Sequence, residues 1–304
     1  LGYYYIWENI LNYRITLADH HNLGATFVTS YENSQSEGSY SYSEEFLYDD
    51  FLFFNIDAGI NPRAESNYEV KKRMSYVGRI QYDYQGKYLL SGSVRYDGIS
   101  QLAEKWYVFP SGAVAWRVSD ENFMEWSDNW LNNLKVRASY GIAGSDNIRP
   151  YRSTTEVTNG RDAMNLGAGE LITVVPTQSI TNLKLGWEKT HSLNIGLDFG
   201  LFGGRVDGMF EWYDQDSKGL IYNRPLPFSL GGWGPKWPYT LAANIANINN
   251  RGIELTLNTY NIQKSDFQWT STLTFSRNRN EVTSIDLGSG KTAEDLITEG
   301  IFLG

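Results

Sequence analysis

No cysteine occurs anywhere in the 304 residues, so neither a disulfide framework nor a thiolate metal site exists, and redox compartment is left open. Histidine is nearly as scarce, with three in the chain, which leaves little imidazole for metal ligation or general-base work. Positive charge is outnumbered: 26 Lys and Arg stand against 35 Asp and Glu, and the net charge of -9 excludes a basic nucleic-acid surface. No run approaches the roughly 18 consecutive apolar residues of a transmembrane helix, and the opening LGYYYIWENI has neither the charged nor the apolar region of a signal peptide. The chain begins and ends within patterned sequence and reads as an internal fragment of a longer protein.

Aromatic residues and period-two alternation are what the chain has in plenty. It carries 10 Trp, 21 Tyr and 14 Phe, and charged residues make up 20%, below the roughly 25% of soluble domains. In KYLLSGSVRYDGIS, Tyr88, Leu90, Gly92, Val94 and Tyr96 share one parity, and Leu89, Ser91, Ser93 and Arg95 the other. Alternation of this kind is a strand with one apolar and one polar face. Ten such segments are predicted, over 7–18, 23–34, 72–84, 87–97, 107–118, 134–143, 187–201, 205–216, 251–263 and 267–280. Globular strands run to about five or six residues, whereas these match the 9 to 11 or so of a tilted membrane-spanning strand.

The connections alternate in length. Those at 19–22, 85–86, 202–204 and 264–266 are short, whereas 35–71, 144–186 and 217–250 are long. Alternate turns of an antiparallel meander fall at one end, so one end is trimmed and the other carries large loops, as in transmembrane β-barrels. The connection at 119–133 breaks the rule, and SDENFMEWSDNW within it predicts a short helix capped by Ser119 or Asp120. Aromatics near strand ends, such as Tyr84, Tyr88, Tyr96, Trp106 and Trp116, suit the interfacial girdles of a barrel. In a soluble all-β sandwich they would be ordinary core, and strand length together with turn alternation favours the barrel. Asp97 and Gly98 are expected to turn the chain at the outer rim.

Catalytic patterns are weak. Asp19, His20 and His21 sit where a tight turn is required and lack a companion cluster. Carboxylate pairs such as Glu44 with Glu45, Asp49 with Asp50, or Glu211 with Asp214 raise glycoside hydrolysis, which needs two convergent carboxyls, yet neighbouring acids in loops are more often solvated. GLFGGR and LGGWGP lack the strand-to-helix context and the Lys of a phosphate loop, and no serine elbow occurs. The segment NRPLPFSLGGWGPKWPY, by contrast, holds Trp233, Trp237 and Tyr239 in a Pro- and Gly-restricted loop, a stiff aromatic surface for ligand or partner contact. On the polar parity, Arg95, Lys135 and Arg137 with Asp198, Asp207, Glu211 and Glu254 form a candidate lining of the lumen, facing plug or substrate or pairing across strands.

Three stretches resemble a known family. YVGRIQYDYQGKYLLSGSVRYDGISQL, WYVFPSGAVAWRVSDENFM and LNNLKVRASYGIAGSDNIRPY follow one another at the spacing of the barrel block of SusC/RagA-type TonB-linked outer-membrane transporters of Bacteroidetes-like bacteria. LKLGWEKTHSLNIGLDFGLFGGRVDGMFEWYDQDSKGLI and NINNRGIELTLN, with FSRNRNEVTSI and ITEGIFLG, resemble later strands of the same barrel. Where the family continues Arg-x-Asp-Gly into Ser-Ser-Arg, this chain has Ile99, Ser100 and Gln101.

The resemblance implies an all-β fold in which 1–304 supplies about ten of some 22 antiparallel barrel strands, with short periplasmic turns and long extracellular loops. Signal peptide, TonB box and plug domain would lie outside this fragment. The implied function is uptake of an oligosaccharide or peptide across a bacterial outer membrane. Its partners would be a SusD-like surface lipoprotein and the TonB–ExbB–ExbD complex, with no cofactor and no covalent chemistry. The alternatives are a soluble carbohydrate-binding protein or glycoside hydrolase, and a passive porin or adhesin.

Overall fold

Period-two alternation becomes ten long strands in the computed structural model, which describes residues 1–46, 52–146, 148, 150, 151, 153, 162–165, 171–174, 179–227 and 239–286. The strands are β1 (Gly2–Leu17), β2 (His21–Glu44), β3 (Ile60–Tyr84), β4 (Tyr88–Ile99), β5 (Trp106–Arg117), β6 (Leu131–Ser145), β7 (Glu188–Leu201), β8 (Val206–Pro225), β9 (Thr240–Gln263) and β10 (Gln268–Ile285). Each pairs antiparallel with its sequence neighbours in one meandering sheet, and β1 and β10 end it unpaired with each other. Ser179–Ile180 adds a short parallel pairing to β9, and Asp162–Asn165 pairs with Leu171–Val174 in a separate hairpin.

Register carries the alternation of single strands across the whole sheet. Tyr88 lies opposite Trp116 and Tyr84, Leu90 opposite Val114 and Tyr82, and Gly92 opposite Gly112 and Ile80, so apolar parity meets apolar parity. On this face Val94 is 50% and Ile80 60% exposed, side chains that a water-soluble fold would bury. Aromatic rows border the apolar band. Toward the short turns, the rings of His21, Tyr84, Tyr88 and Trp116 follow one another at 4.8, 6.1 and 6.4 Å. Toward the long loops, Trp106 stacks on Tyr96 at 4.7 Å and on Tyr76 at 6.4 Å. From Tyr88 to Tyr96 is eight residues, about 26 Å along the strand and about 20 Å after tilt, close to the ~25 Å apolar band of a membrane barrel.

The strands are longer than the alternation predicts. β3 has 25 residues and β2 and β9 have 24 each, against the 9 to 11 or so that a bilayer needs. The excess projects from the long-loop end, where the sequence shows no hydrophobic alternation and parts of β8 and β9 pack against loops. Much of the expected loops 35–71 and 217–250 is therefore sheet. β4 likewise runs on to Ile99, with Asp97 opposite Tyr107 and Gly98 opposite Trp106, so the rim turn lies at 100–105 and not at Asp97 and Gly98.

Inside the long-loop end sits a small hydrophobic core of Ile99, Leu102, Phe109, Leu185, Trp187 and Ala242. It packs the turn at 100–105 against the approach to β7. Ala103 and Glu104 donate their backbone N–H groups to the Leu185 carbonyl, and the Trp187 indole donates to the Lys105 carbonyl at 3.2 Å.

At the short-turn end, Gly203 and Gly204 take φ of 67° and 82°, the left-handed conformation that a tight turn needs and glycine tolerates. The connection from β5 to β6 is helical as expected, but as two 3-10 segments, Val118–Asp120 and Asn122–Ser127. Their N-caps are Arg117, whose side chain has no acceptor, and Glu121, whose carboxylate is engaged by Tyr88 and Trp116, so neither makes a side-chain capping bond.

Candidate functional site

The sheet curls so that its polar face is concave. One cavity of about 770 Å³ is bounded both by Arg14 and Thr16 of β1 and by Arg137 and Ser139 of β6, with Asn194 of β7 beyond. Ser91, Ala113 and Gly24 form part of its wall, small or polar groups in place of the outer face's large apolar ones.

A charged row crosses this face. Arg137 of β6 and Glu211 of β8 are both in register with Gly196 of β7, and Glu254 of β9 follows opposite Glu211. The guanidinium of Arg137 lies over Gly196 and reaches Glu211, to which Nη2 donates. A Cβ on Gly196 would stand 2.5 Å from Cζ of Arg137, so the missing side chain is what lets the ion pair span the intervening strand. Arg137 also donates from Nε to Asp198 at 3.2 Å, and Lys135 stands 3.7 Å from the same carboxylate. Glu254 makes no ion pair among the described residues and directly faces a second carboxylate.

Arg95 belongs to a separate cluster nearer the long loops. Its Nε donates to both oxygens of the buried Asp97, at 2.7 and 2.6 Å, and its Nη2 to the Ser75 hydroxyl at 3.1 Å. Farther out, Arg73 joins Asp146, at 2.6 Å, and Glu32, at 3.7 Å. The Tyr151 hydroxyl accepts from the Val70 N–H at 3.2 Å, so the loop after β6 folds back over β3. Asp207 accepts from Asn258 at 2.9 Å.

Residues 2–297, nearly the whole chain, match the family of TonB dependent receptor-like β-barrels. The chain belongs to that family. TonB-dependent receptor P3 of Formosa agariphila is 31% identical over 284 residues, covering 92% of this chain and 27% of the relative. TonB-dependent receptor SusC of Bacteroides thetaiotaomicron is 32% identical over 232 residues, covering 74% of this chain and 22% of the relative. A solved structure of the RagAB peptide transporter superposes with a TM-score of 0.78 at 22% identity, covering 93% of this chain and 30% of that one. The chain thus spans under a third of the length of the curated relatives it matches.

For a receptor barrel of the outer membrane, the exposed apolar band faces lipid and the short turns face the periplasm. No described helix is long and apolar enough to cross a membrane; strands do the crossing. Lys135, Arg137, Asp198 and Glu211, expected to share a face, do meet there. Arg95 is held apart from them by its contacts with Asp97 and Ser75, and Glu254 is beside Glu211 without a cation of its own.

Trp233 and Trp237 lie outside the described residues. Tyr239 is half-buried just before β9, and its carbonyl accepts from the Leu226 N–H at 2.8 Å, which places it at the base of its loop. Glu211 and Asp214 do not converge: odd spacing puts them on opposite faces of β8, and Asp214 instead accepts from Asn249 at 2.6 Å.

His21 bonds the Tyr82 hydroxyl at 2.7 Å and its ring lies tilted 4.8 Å from that of Tyr84, a girdle residue. Sequence reasoning missed Gly196, whose role appears only in register, and Asp97. Two residues from Arg95, Asp97 shares its parity, a signal that was present.

Proposed function

We propose that this chain forms part of the wall of a TonB-dependent transporter that takes up a large nutrient, an oligosaccharide or a peptide, through the outer membrane. The observation that carries the reading is a concave face lined with small, polar and paired charged groups behind a lipid-facing apolar band, in a chain matched along its length by a receptor-barrel family. In this reading 1–304 is a partial barrel domain of a larger barrel of about 22 strands. A plug, TonB box and signal peptide belong to the rest of the protein.

A wall of this kind does no covalent chemistry. Substrate is held at the long-loop end, where Trp233, Trp237 and Tyr239 offer stacking surface, and a SusD-like lipoprotein closes over it. TonB–ExbB–ExbD then moves the plug, and the lumenal charges, Arg95, Lys135, Arg137, Asp198, Glu211 and Glu254, line the path it opens. RagAB, which is described as a peptide transporter, supports the peptide option through fold alone. The exposed apolar band weighs against a soluble hydrolase.

The test is uptake of fluorescent oligosaccharides and peptides by cells carrying or lacking the full-length gene, with and without TonB. Uptake that needs both gene and TonB is the expected result. Uptake that needs the gene but not TonB would make the protein a passive porin and end the proposal.

A further inference from the structure

The connection between β5 and β6 departs from the family of tight turns at its end of the sheet, and its geometry explains where it goes. Glu121 accepts from the Tyr88 hydroxyl at 2.6 Å and from the Trp116 indole at 3.0 Å, and Phe123 packs edge-on to Trp116 with ring centroids 6.3 Å apart. Tyr88 and Trp116 both belong to the lipid-facing row, so the segment folds outward over the girdle and not across the lumen mouth. Ser127 is buried and donates to the Met124 carbonyl at 2.7 Å, which closes the turn. The Trp126 ring lies tilted beside that of Trp130 with centroids 6.0 Å apart, and the Trp130 carbonyl accepts from the Phe202 N–H of the next turn. With its backbone held this way, the segment leaves Phe123 59% and Trp126 69% exposed.

We infer that residues 118–130 form a membrane-interface anchor, which seats Phe123 and Trp126 in the headgroup region of the periplasmic leaflet. The site continues the aromatic girdle. Large amphipathic rings gain most at that depth, where the apolar body leaves water and the indole N–H stays wet. Asp120, Glu125 and Asp128 flank the rings, so attraction to anionic headgroups is not the source of binding, and the partner is a zwitterionic phospholipid surface. The inference rests on outer-membrane placement and not on what the transporter carries.

The chain has no Cys, so a cysteine placed by Trp126→Cys in the full-length receptor, with any others removed, accepts one environment-sensitive fluorophore. Ser265→Cys, in the exposed turn between β9 and β10 at the same end, is the reference. In phosphatidylethanolamine-rich vesicles, shallow lipid-borne quenchers should quench the label at 126 at least twofold more than the label at 265, and more than deep quenchers do. Added phosphatidylglycerol should not increase the effect.

Quenching of 126 by aqueous iodide as strong as that of 265 overturns the inference. So does a label shielded from both quenchers, which would mean that protein covers the segment. In the unlabelled receptor, Trp126→Phe should remove part of the tryptophan emission that brominated lipid quenches; no change overturns the inference independently of labelling. Either failure leaves TonB-dependent uptake untouched, so the two readings are separable.

Discussion

Substituting Gly196 should reveal how the lumenal charges are held. A methyl at this position meets the guanidinium of Arg137, the movable end of a long side chain. Arg137 then swings away from Glu211 while keeping Asp198 within reach. A charge-assisted contact between partly exposed groups is worth about 0.5–1.5 kcal/mol. Alanine in place of a strand glycine returns about 0.5 kcal/mol, so Gly196→Ala alone should cost about 0.5 kcal/mol.

Arg137→Met removes the contacts with both carboxylates, and a long one to Asn194, and leaves Glu211 and Glu254 facing each other. At about 5 Å their repulsion is worth about 0.8 kcal/mol in water and about 3 kcal/mol at an effective dielectric of 20. The total cost should be about 2–6 kcal/mol. In the Arg137→Met background the side chain at 137 ends about where Nε stood, is held by no ion pair and can turn aside, so Gly196→Ala should stabilise by about 0.5 kcal/mol, a coupling of about 1 kcal/mol.

The assay is equilibrium urea unfolding of the full-length receptor in phospholipid vesicles, with the four proteins of the cycle compared at constant m-value. Additivity within about 0.3 kcal/mol would refute the crossing of β7 by Arg137. Loss of uptake in Arg137→Met with unchanged stability would refute the structural role and assign the row to plug or substrate.

Other substitutions probe the two ends. The Tyr88 hydroxyl, with the Trp116 indole and Lys87, holds the Glu121 carboxyl below its ordinary 4.5. A depressed folded value means that the stabilisation is fully present above the ordinary value and is lost as pH falls through the folded one. Trp116 emission should therefore be flat from pH 7 to about 5 and change below the ordinary Glu range, and Glu121→Gln should abolish that change. Leu102→Ala, at a fully buried position, should cost about 2–4 kcal/mol and expose the 100–105 turn to protease, whereas Leu90→Ala on the lipid face should not. At Gly98 a Cβ would stand 2.5 Å from the Trp106 ring, so Gly98→Ala should unstack Trp106 from Tyr96, at a cost of about 1–3 kcal/mol read by unfolding and near-UV dichroism.

Much of this was legible beforehand. All ten strands coincide with period-two segments because, within the bilayer, one face meets lipid and the other a polar lumen, and that contrast writes itself into every second residue. Lys135, Arg137, Asp198 and Glu211 were legible as one group by parity. The extensions of β2, β3, β8 and β9 were not, since beyond the bilayer no lipid-facing side imposes an alternation, and β8 and β9 there pack instead on a local core. Asp97 was misplaced because Asp-Gly is a turn signal, whereas here Gly98 makes room for the Trp106 ring and Asp97 holds Arg95.

Strand existence, facing and the turn-length asymmetry are properties of local sequence, and the chain by itself determined them. Which residues become neighbours across strands is a property of register, set jointly by distant segments. It takes the assembled sheet to bring Gly196 beneath Arg137, to pack residues 182–187 on the 100–105 turn, and to lay residues 118–130 over Tyr88 and Trp116. The physical reason is that a hydrogen-bonded ladder fixes relative position between strands, and no pattern within one strand encodes the offset of the next.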